Sequence, residues 1–171
     1  QKRRLEQAHI VFGFEGKSFR DPDAYAALVF TNALGGGMSS RLFQEIREER
    51  GLAYTVFSST SSYGDAGSLV AYAGTGPERA AEVLALVRGI AADLAAHGCT
   101  PREWEVARGY LEGSALLGLE DSGALMARLG NHVCARGVVV PVEDQLARLQ
   151  AVTVDDVARV AAALLAVEHA V

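Results

Sequence analysis

The chain has 171 residues, of which half are apolar and 22% are charged, and its formal net charge is −5. This length suits one domain with its own hydrophobic core, and the ordinary composition excludes disordered and fibrous classes. Acidic and basic residues are interspersed, so nucleic acid is not an expected partner. No apolar run approaches the roughly 20 residues of a membrane-spanning helix, and we expect no membrane association.

The two cysteines, Cys99 and Cys134, form neither a close pair nor a zinc-ribbon spacing. That usage is typical of a reducing compartment, so the expected location is cytoplasmic. The chain begins at Gln1 and soon enters an apolar, strand-like segment. We therefore interpret it as part of a longer protein, with further chemistry expected upstream.

The first predicted element is a strand at residues 8–14, in which Ile10, Phe12 and Phe14 share one face at a period of two. A helix is predicted over residues 23–34, because apolar residues recur there at helical spacing and three glycines then stop it. A strand followed by a helix is thus expected to open the domain.

A short second helix is predicted after the glycines. Ser39 or Ser40 is expected to cap its N-terminus, and the helix runs to Arg50. Gly51 then occupies the position where a left-handed C-cap residue belongs. Two strands follow, at residues 52–63 and 67–75, and the short, turn-rich segment between them predicts a hairpin.

The remainder of the chain is predicted to be helical. The expected helices begin at Pro77, with Val83, Val87, Ile90 and Leu94 on one face, at the capping box Thr100–Glu103, and at residues 122, 142 and 153. Residues 167–171 could begin a last strand. Because strands come early and helices late, we predict an α+β fold in which helices cover one face of an antiparallel sheet.

No local metal site is predicted. The four histidines are His9, His97, His132 and His169. No two of them have the i, i+4 spacing that places two imidazoles on one helix face around zinc. Isolated histidines are more often structural, since a metal site also needs supporting carboxylates, so we expect no metal ligand in this chain.

Gly16, Lys17 and Ser18 follow the first strand and match the end of a Walker A phosphate-binding loop. The motif also requires a glycine five positions before Gly16, and that position is Val11. The following helix starts late, so Lys17 does not lie at a helix N-terminus that could bind anions. We interpret the segment as a strand that ends in a turn.

Residues 34–54 form the most unusual stretch. Gly35, Gly36 and Gly37 are typical of backbone that passes close to another group, although a flexible link would look the same. The run LGGGMSSRLFQEIREERGLAY strongly resembles the signature of the second domain in insulinase/pitrilysin-family zinc peptidases, the group that includes mitochondrial processing peptidase. The order of strand, hairpin and helices around it extends the resemblance over nearly the whole chain.

This resemblance implies two homologous α+β domains that form a clamshell, with zinc bound by an inverted H-x-x-E-H motif on the first domain. The motif is absent here. Residues 1–171 would then be a single carboxy-terminal, substrate-binding domain, and the zinc cofactor would belong to an amino-terminal domain upstream. The implied partners are a peptide substrate, that amino-terminal domain, and a further chain in a homo- or heterodimer.

The family's second domain supplies an arginine and a tyrosine, seven residues apart, to the substrate cleft. They match Arg47 and Tyr54, so the resemblance implies substrate binding by both and a catalytic role for Tyr54 near the scissile bond. It also implies that Gly35, Gly36 and Gly37 form a structural loop near the cleft. An arginine in a last helical turn and a tyrosine in a strand are, however, also common for structural reasons alone.

The spacing itself is consistent with a shared site. Arg47 falls in the last turn of the short helix, and Tyr54 is the third residue of the extended segment after Gly51, so both are expected at one junction. The parity of the strand predicts that Tyr54 lies on the same face as Val56 and Ser58.

The predicted function is the substrate-binding half of a zinc endopeptidase that hydrolyses peptides or unfolded proteins. The chain alone is expected to be inactive. The alternative is a non-catalytic, metal-free partner or scaffold subunit with the same fold, since a fold can be retained after its chemistry is lost.

Overall fold

The computed structural model describes residues 6–165. The strands, in chain order, are β1 (Ala8–Glu15), β2 (Ala53–Ser62) and β3 (Gly67–Thr75). The α-helices are α1 (Ala24–Gly35), α2 (Ala80–His97), α3 (Pro101–Leu117), α4 (Ser122–Arg136), α5 (Val142–Gln150) and α6 (Val154–Leu165). A π-helical turn, Phe43–Glu48, precedes β2, and a 3₁₀ turn, Pro77–Arg79, precedes α2.

The three strands form an antiparallel sheet in the order β1-β3-β2. The predicted hairpin of β2 and β3 is confirmed, and its loop is closed by a 2.8 Å hydrogen bond from the Tyr63 N–H to the Ala66 carbonyl. In the centre of the sheet, Ala71 on β3 is paired with Phe12 on one side and Ser58 on the other.

One face of the sheet is buried under helices. On β1 the half-buried Ile10, Phe12 and Phe14 alternate with exposed residues, as their period of two predicts. On β3 the buried residues on the same face include Leu69 and Ala71. Helices α1, α2 and α6 contact the sheet, so the predicted α+β class with helices on one face is confirmed.

The opposite face of the sheet carries a line of aromatic groups. The rings of Phe57 and Tyr72 stack with centroids 5.0 Å apart, and the Tyr72 hydroxyl lies 2.7 Å from Nδ1 of His9. Val11, on the neighbouring strand, is largely exposed. No helix in the described part of the chain covers these side chains to any large extent.

Helix α1 lies at the centre of the domain, between the sheet and helices α3 and α6. Its Val29, Phe30 and Leu34 side chains are almost fully buried. The predicted apolar face of α2 is confirmed, since Val83, Val87, Ile90 and Leu94 are all buried. Helix α4, by contrast, contains no buried residue and lies at the periphery.

The short second helix differs from its prediction in two respects. The Glu49 N–H donates to the Gln44 carbonyl five residues earlier, so the segment is a π-helical turn. Ser40 lies at the predicted N-cap position, since its carbonyl accepts from the Gln44 N–H at 3.0 Å, but its hydroxyl donates to the Gly37 carbonyl and does not cap the helix. The spacing of apolar residues could not distinguish a π-helical turn from an α-helix. Leu42 and Ile46 are four residues apart in sequence, and that spacing suits the buried side of either kind of helix.

The other helix signals agree closely with the structure. Thr100 and Glu103 form a reciprocal capping box at the start of α3, as predicted. Gly51 has the predicted left-handed conformation, with φ of +60°. The last strand predicted at residues 167–171 lies outside the described residues.

Between residues 6 and 165, no single helix is both long and apolar enough to cross a membrane. The segments Pro77–His97 and Pro101–Leu117 reach the required length and apolarity only together, and the chain bends by 103° between them.

Candidate functional site

The junction between the π-helical turn and β2 is held by backbone hydrogen bonds. The Gly51 N–H donates to the Arg47 carbonyl at 3.1 Å, and the Leu52 N–H donates to the Ile46 carbonyl at 2.9 Å. The left-handed φ of Gly51 lets the chain reverse there, a conformation that suits glycine because it has no Cβ. The predicted joint location of Arg47 and the start of β2 is confirmed.

Two further bonds fix the carbonyl groups of this turn. Nη1 of Arg79 donates to the Gly51 carbonyl at 2.8 Å, and the buried Thr75 hydroxyl donates to the Leu52 carbonyl. Both donors come from the end of β3 and the 3₁₀ turn, more than 20 residues away along the chain. The junction is therefore anchored to the sheet. Sequence reasoning missed both anchors, because nothing in local spacing links Thr75 or Arg79 to the turn.

Tyr54 lies on a β-bulge at the start of β2. Ala53 is paired with Thr75 and Thr55 with Gly74, so Tyr54 is an extra residue opposite no partner on β3. Its side chain is 65% exposed, whereas Val56 and Ser58 are 5% and 6% exposed. The prediction that Tyr54 shares a face with Val56 and Ser58 is wrong, because the inserted residue breaks the alternation of the strand.

Arg47 is exposed on the π-helical turn. Its guanidinium carbon lies 4.8 Å from the centroid of the Phe43 ring, a cation–π contact that orients the side chain. Stacking uses the face of the guanidinium and leaves its N–H groups, which lie in the plane, available for acceptors. In the described structure the Arg47 and Tyr54 side chains do not hydrogen-bond to each other, and both face solvent.

The three glycines before this junction differ in their surroundings. A Cβ on Gly35 would lie 2.5 Å from the Ser58 backbone nitrogen, so only glycine permits α1 to approach β2 this closely. A 2.7 Å hydrogen bond from the Ser58 hydroxyl to the Thr31 carbonyl also joins α1 to β2 at this contact. A Cβ on Gly36 would meet Asn32, and one on Gly37 would meet nothing within 4 Å. A location near a cleft stays a prediction for all three.

Arg41 connects this segment to the helices. Its Nε and Nη2 atoms donate to the two carboxylate oxygens of Glu103 at 2.8 Å each, and Nη1 donates to Asp93. The Glu103 hydrogen bond raises the pKa of Arg41. Burial raises the pKa of Glu103, but hydrogen bonds from Arg41 and Thr100 outweigh it, and that pKa lies below its ordinary value.

The described residues do not fit a metal centre. Between residues 6 and 165, no three His, Cys, Asp or Glu side chains are grouped so that they could hold a metal ion. His9 contacts Tyr72, His97 contacts Asp93 at 3.0 Å, and His132 accepts from the Val140 N–H at 3.2 Å. His169 lies outside the described residues. Zinc chemistry therefore has no ligand set in this part of the chain.

The Gly16-Lys17-Ser18 segment is a strand ending in a turn, as predicted. The Gly16 N–H donates to the Gly67 carbonyl at 2.9 Å and so continues the pairing of β1 with β3. Lys17 forms an ion pair with Asp21 at 3.5 Å and does not precede a helix directly. The segment lacks the helix N-terminus that a phosphate-binding loop requires.

A family model described as the peptidase M16 inactive domain matches residues 1–111. The chain belongs to this family. The resemblance carried by residues 34–54 is thereby confirmed, as is the α+β fold it implied. An M16 inactive domain from Pseudomonas fluorescens superposes with a TM-score of 0.82 at 27% identity, over 94% of this chain and 38% of that one.

Relatives of this M16 inactive domain carry the name uncharacterized zinc protease. The Streptomyces coelicolor protein is 48% identical over 93% of this chain, and the Bacillus subtilis protein is 36% identical over 99% of it. The matched parts are 35% and 42% of those relatives, so the chain spans well under half of their length. An inactive peptidase domain from Bordetella parapertussis has the same fold, with a TM-score of 0.81 at 21% identity over 96% of this chain and 90% of that one.

Proposed function

We propose that this domain is the substrate-binding half of a zinc-dependent endopeptidase and that it presents Arg47 and Tyr54 to the peptide. The observation that carries the proposal is the junction itself, where an exposed tyrosine on a β-bulge follows an exposed arginine on a π-helical turn. Both irregularities are often found at functional sites. The names of the relatives support a zinc protease as the parent protein.

The chemistry of the two side chains suits amide hydrolysis. Negative charge develops on the carbonyl oxygen of the scissile bond, and a donor aimed at that oxygen stabilises the transition state more than the ground state. The Tyr54 hydroxyl and the Arg47 guanidinium are both such donors. Their backbone is held by Thr75 and Arg79, and this rigidity lowers the entropy lost when a substrate is bound.

The proposed substrate is an extended peptide or an unfolded protein. Strand β2 lies at an edge of the described sheet, and residues 53–62 contain neither a charged residue nor a proline. Charges and prolines are the usual features that keep other strands from pairing with an edge. A peptide backbone paired with β2 would run past Tyr54 and be held largely independently of its sequence.

In this proposal the zinc belongs to the part of the parent protein outside this chain. The metal would polarise the scissile carbonyl and supply the attacking water when bound there. The residues of this domain bind and orient the peptide, and the domain alone does not hydrolyse it.

The test is peptide hydrolysis by the full-length parent protein in the presence of zinc. Replacement of Tyr54 by phenylalanine removes one donor, and we expect turnover to fall about 100- to 1,000-fold. Tyr63→Phe is the matched control, because Tyr63 is 63% exposed on the hairpin loop, away from the bulge. Thermal unfolding of each variant checks that the fold is intact.

Equal turnover of the Tyr54→Phe variant and the wild type would show that Tyr54 has no catalytic role. A wild-type parent that binds peptides but does not cut them would instead support the non-catalytic partner or scaffold. A loss of turnover shared by Tyr54→Phe and Tyr63→Phe would reflect a general effect of removing a hydroxyl and would also reject the proposed role.

A further inference from the structure

A cavity of about 570 Å³ opens between the loop before α1, the end of α4 and the connection between α5 and α6. Its wall includes the apolar or aromatic side chains of Phe19, Tyr25 and Val152. It also includes three arginines, Arg20, Arg136 and Arg148. The volume lies within the range of about 300–1,000 Å³ that is usual for small-molecule sites.

The carboxylates in the wall already have cationic partners. Asp23 accepts two hydrogen bonds from Arg159, at 2.7 and 2.8 Å, and this contact lowers the pKa of Asp23. Asp156 pairs with the same arginine at 3.3 Å, and Asp21 pairs with Lys17 at 3.5 Å. Because Asp23 and Asp156 share Arg159, the three carboxylates with Lys17 and Arg159 leave one negative charge, which is fewer than the three positive charges of the cavity arginines.

The three arginines, in contrast, have no carboxylate partner among the residues that the structure describes. Within residues 6–165, no carboxylate oxygen lies within 4.0 Å of the charged nitrogens of Arg20, Arg136 or Arg148. The guanidinium of Arg136 stacks 4.3 Å from the Phe19 centroid, and that of Arg20 lies 5.7 Å from it. Because stacking uses the guanidinium faces, the N–H donors in their planes remain available to a ligand.

Helix α1 begins in the wall of this cavity. Its N-terminus lies in the wall, its first turn contains no acidic residue, and Asp23 at the N-cap makes no side-chain capping bond. The Asp21 and Asp23 carboxylates lie beside this N-terminus, where the Asp23 N–H donates to Oδ1 of Asp21 at 2.8 Å, and they offset the partial positive charge of the helix. The preference for an anion therefore comes from the arginine side chains, although the chain as a whole carries a net charge of −5.

We propose that this cavity binds a small polyanion that carries two or more phosphate or carboxylate groups. Arginine binds such oxyanions through paired N–H donors, and Phe19 and Tyr25 provide surface for the body of the molecule. The cavity is at the opposite end of α1 from Gly35, about 18 Å away at 1.5 Å per residue. This binding function is therefore additional to the proposed role of Arg47 and Tyr54.

The experiment is calorimetric titration of the chain with inorganic tripolyphosphate and, separately, with citrate at low ionic strength. We expect one site per chain, and about tenfold weaker binding by Arg148→Gln, because one charged donor pair is lost. Arg88→Gln is the matched control, since Arg88 is an exposed arginine on α2 outside the cavity. Amide resonances of Tyr25 and Ala26 should shift when the anion binds.

The two anions separate the possible ligand sources. Tighter binding of tripolyphosphate assigns the site to phosphorylated molecules, and tighter binding of citrate assigns it to polycarboxylates. Absence of binding by both anions overturns the proposal. An unchanged affinity in Arg148→Gln, or an equal loss in Arg88→Gln, also overturns it, because the binding would then be a general effect of surface charge.

Discussion

At the scale of single residues, a close backbone contact joins the end of α1 to β2. Gly35 is the last residue of α1, and its backbone lies against that of Phe57 and Ser58. The hydroxyl of Ser58 crosses the same contact to reach the Thr31 carbonyl. The position of the helix on the sheet thus depends on the absence of one Cβ atom.

We predict that Gly35→Ala lowers the free energy of unfolding by about 1–3 kcal/mol, because the added methyl group overpacks a contact made by backbone atoms. Gly37→Ala is the matched control, since a Cβ there meets nothing within 4 Å, and its effect should stay within about 1 kcal/mol. Urea denaturation followed by circular dichroism measures both. Equal effects of the two substitutions would contradict the proposed contact.

At the scale of elements, the connection between α4 and α5 depends on one histidine. Nδ1 of His132 accepts a hydrogen bond from the Val140 N–H, and Arg128 on the same helix donates to the Val140 carbonyl at 2.7 Å. Burial, together with the nearby Arg128 and Arg136, lowers the pKa of His132. The neutral imidazole is the form that the connection requires, because a protonated Nδ1 cannot accept.

We predict that His132 titrates in the folded chain with a midpoint below its ordinary value of about 6.5. Because the pKa of His132 is lower in the folded chain than in the unfolded chain, the contribution of His132 to stability is present above the unfolded pKa. It is lost as the pH falls through the folded pKa. Nuclear magnetic resonance of the imidazole protons gives the midpoint, with the urea-unfolded chain as the reference. A folded midpoint at or above that reference would contradict the prediction.

At the scale of the whole molecule, Arg41 joins parts of the chain that are far apart in sequence. It links the segment after the glycines to Glu103 at the start of α3 and to Asp93 near the end of α2. The side chain of Arg41 is mostly buried, so its charge depends on these partners. Arg41 thereby connects the segment that precedes the Arg47–Tyr54 junction to helices α2 and α3.

We predict that Arg41→Gln lowers the free energy of unfolding near neutral pH by about 2 kcal/mol, because charged hydrogen bonds are lost. Since the pKa of Glu103 is lowered, this contribution is present above its unfolded pKa and is lost as the pH falls through the folded value. The difference in the free energy of unfolding between variant and wild type, called the gap below, should therefore narrow below about pH 4.

Denaturant titrations across this pH range measure that gap, with Arg88→Gln as the control for removing a surface charge. A gap that is constant down to low pH would mean that Glu103 does not carry the effect. A gap as small as that of Arg88→Gln would mean that the network contributes little to stability.

The sequence by itself determined the elements, most of their ends and the family. These features depend on neighbours along the chain, such as the period of two in β1, the Thr100–Glu103 capping box and the left-handed Gly51. It also predicted that Arg47 and Tyr54 meet at one turn, because a helix end and a strand start are separated there by a few residues only.

Only the tertiary structure decided where the Tyr54 side chain points. The β-bulge at Tyr54 arises from the pairing of β2 with β3, and it shifts the alternation of side chains that a regular strand would have. Contacts between residues distant in sequence, such as Arg41 with Glu103 and Thr75 with Leu52, leave no local signal. The arginine-lined cavity likewise exists only where the ends of α4 and α5 meet the start of α1. Local spacing determines which elements form, and long-range packing determines which side chains they bring together.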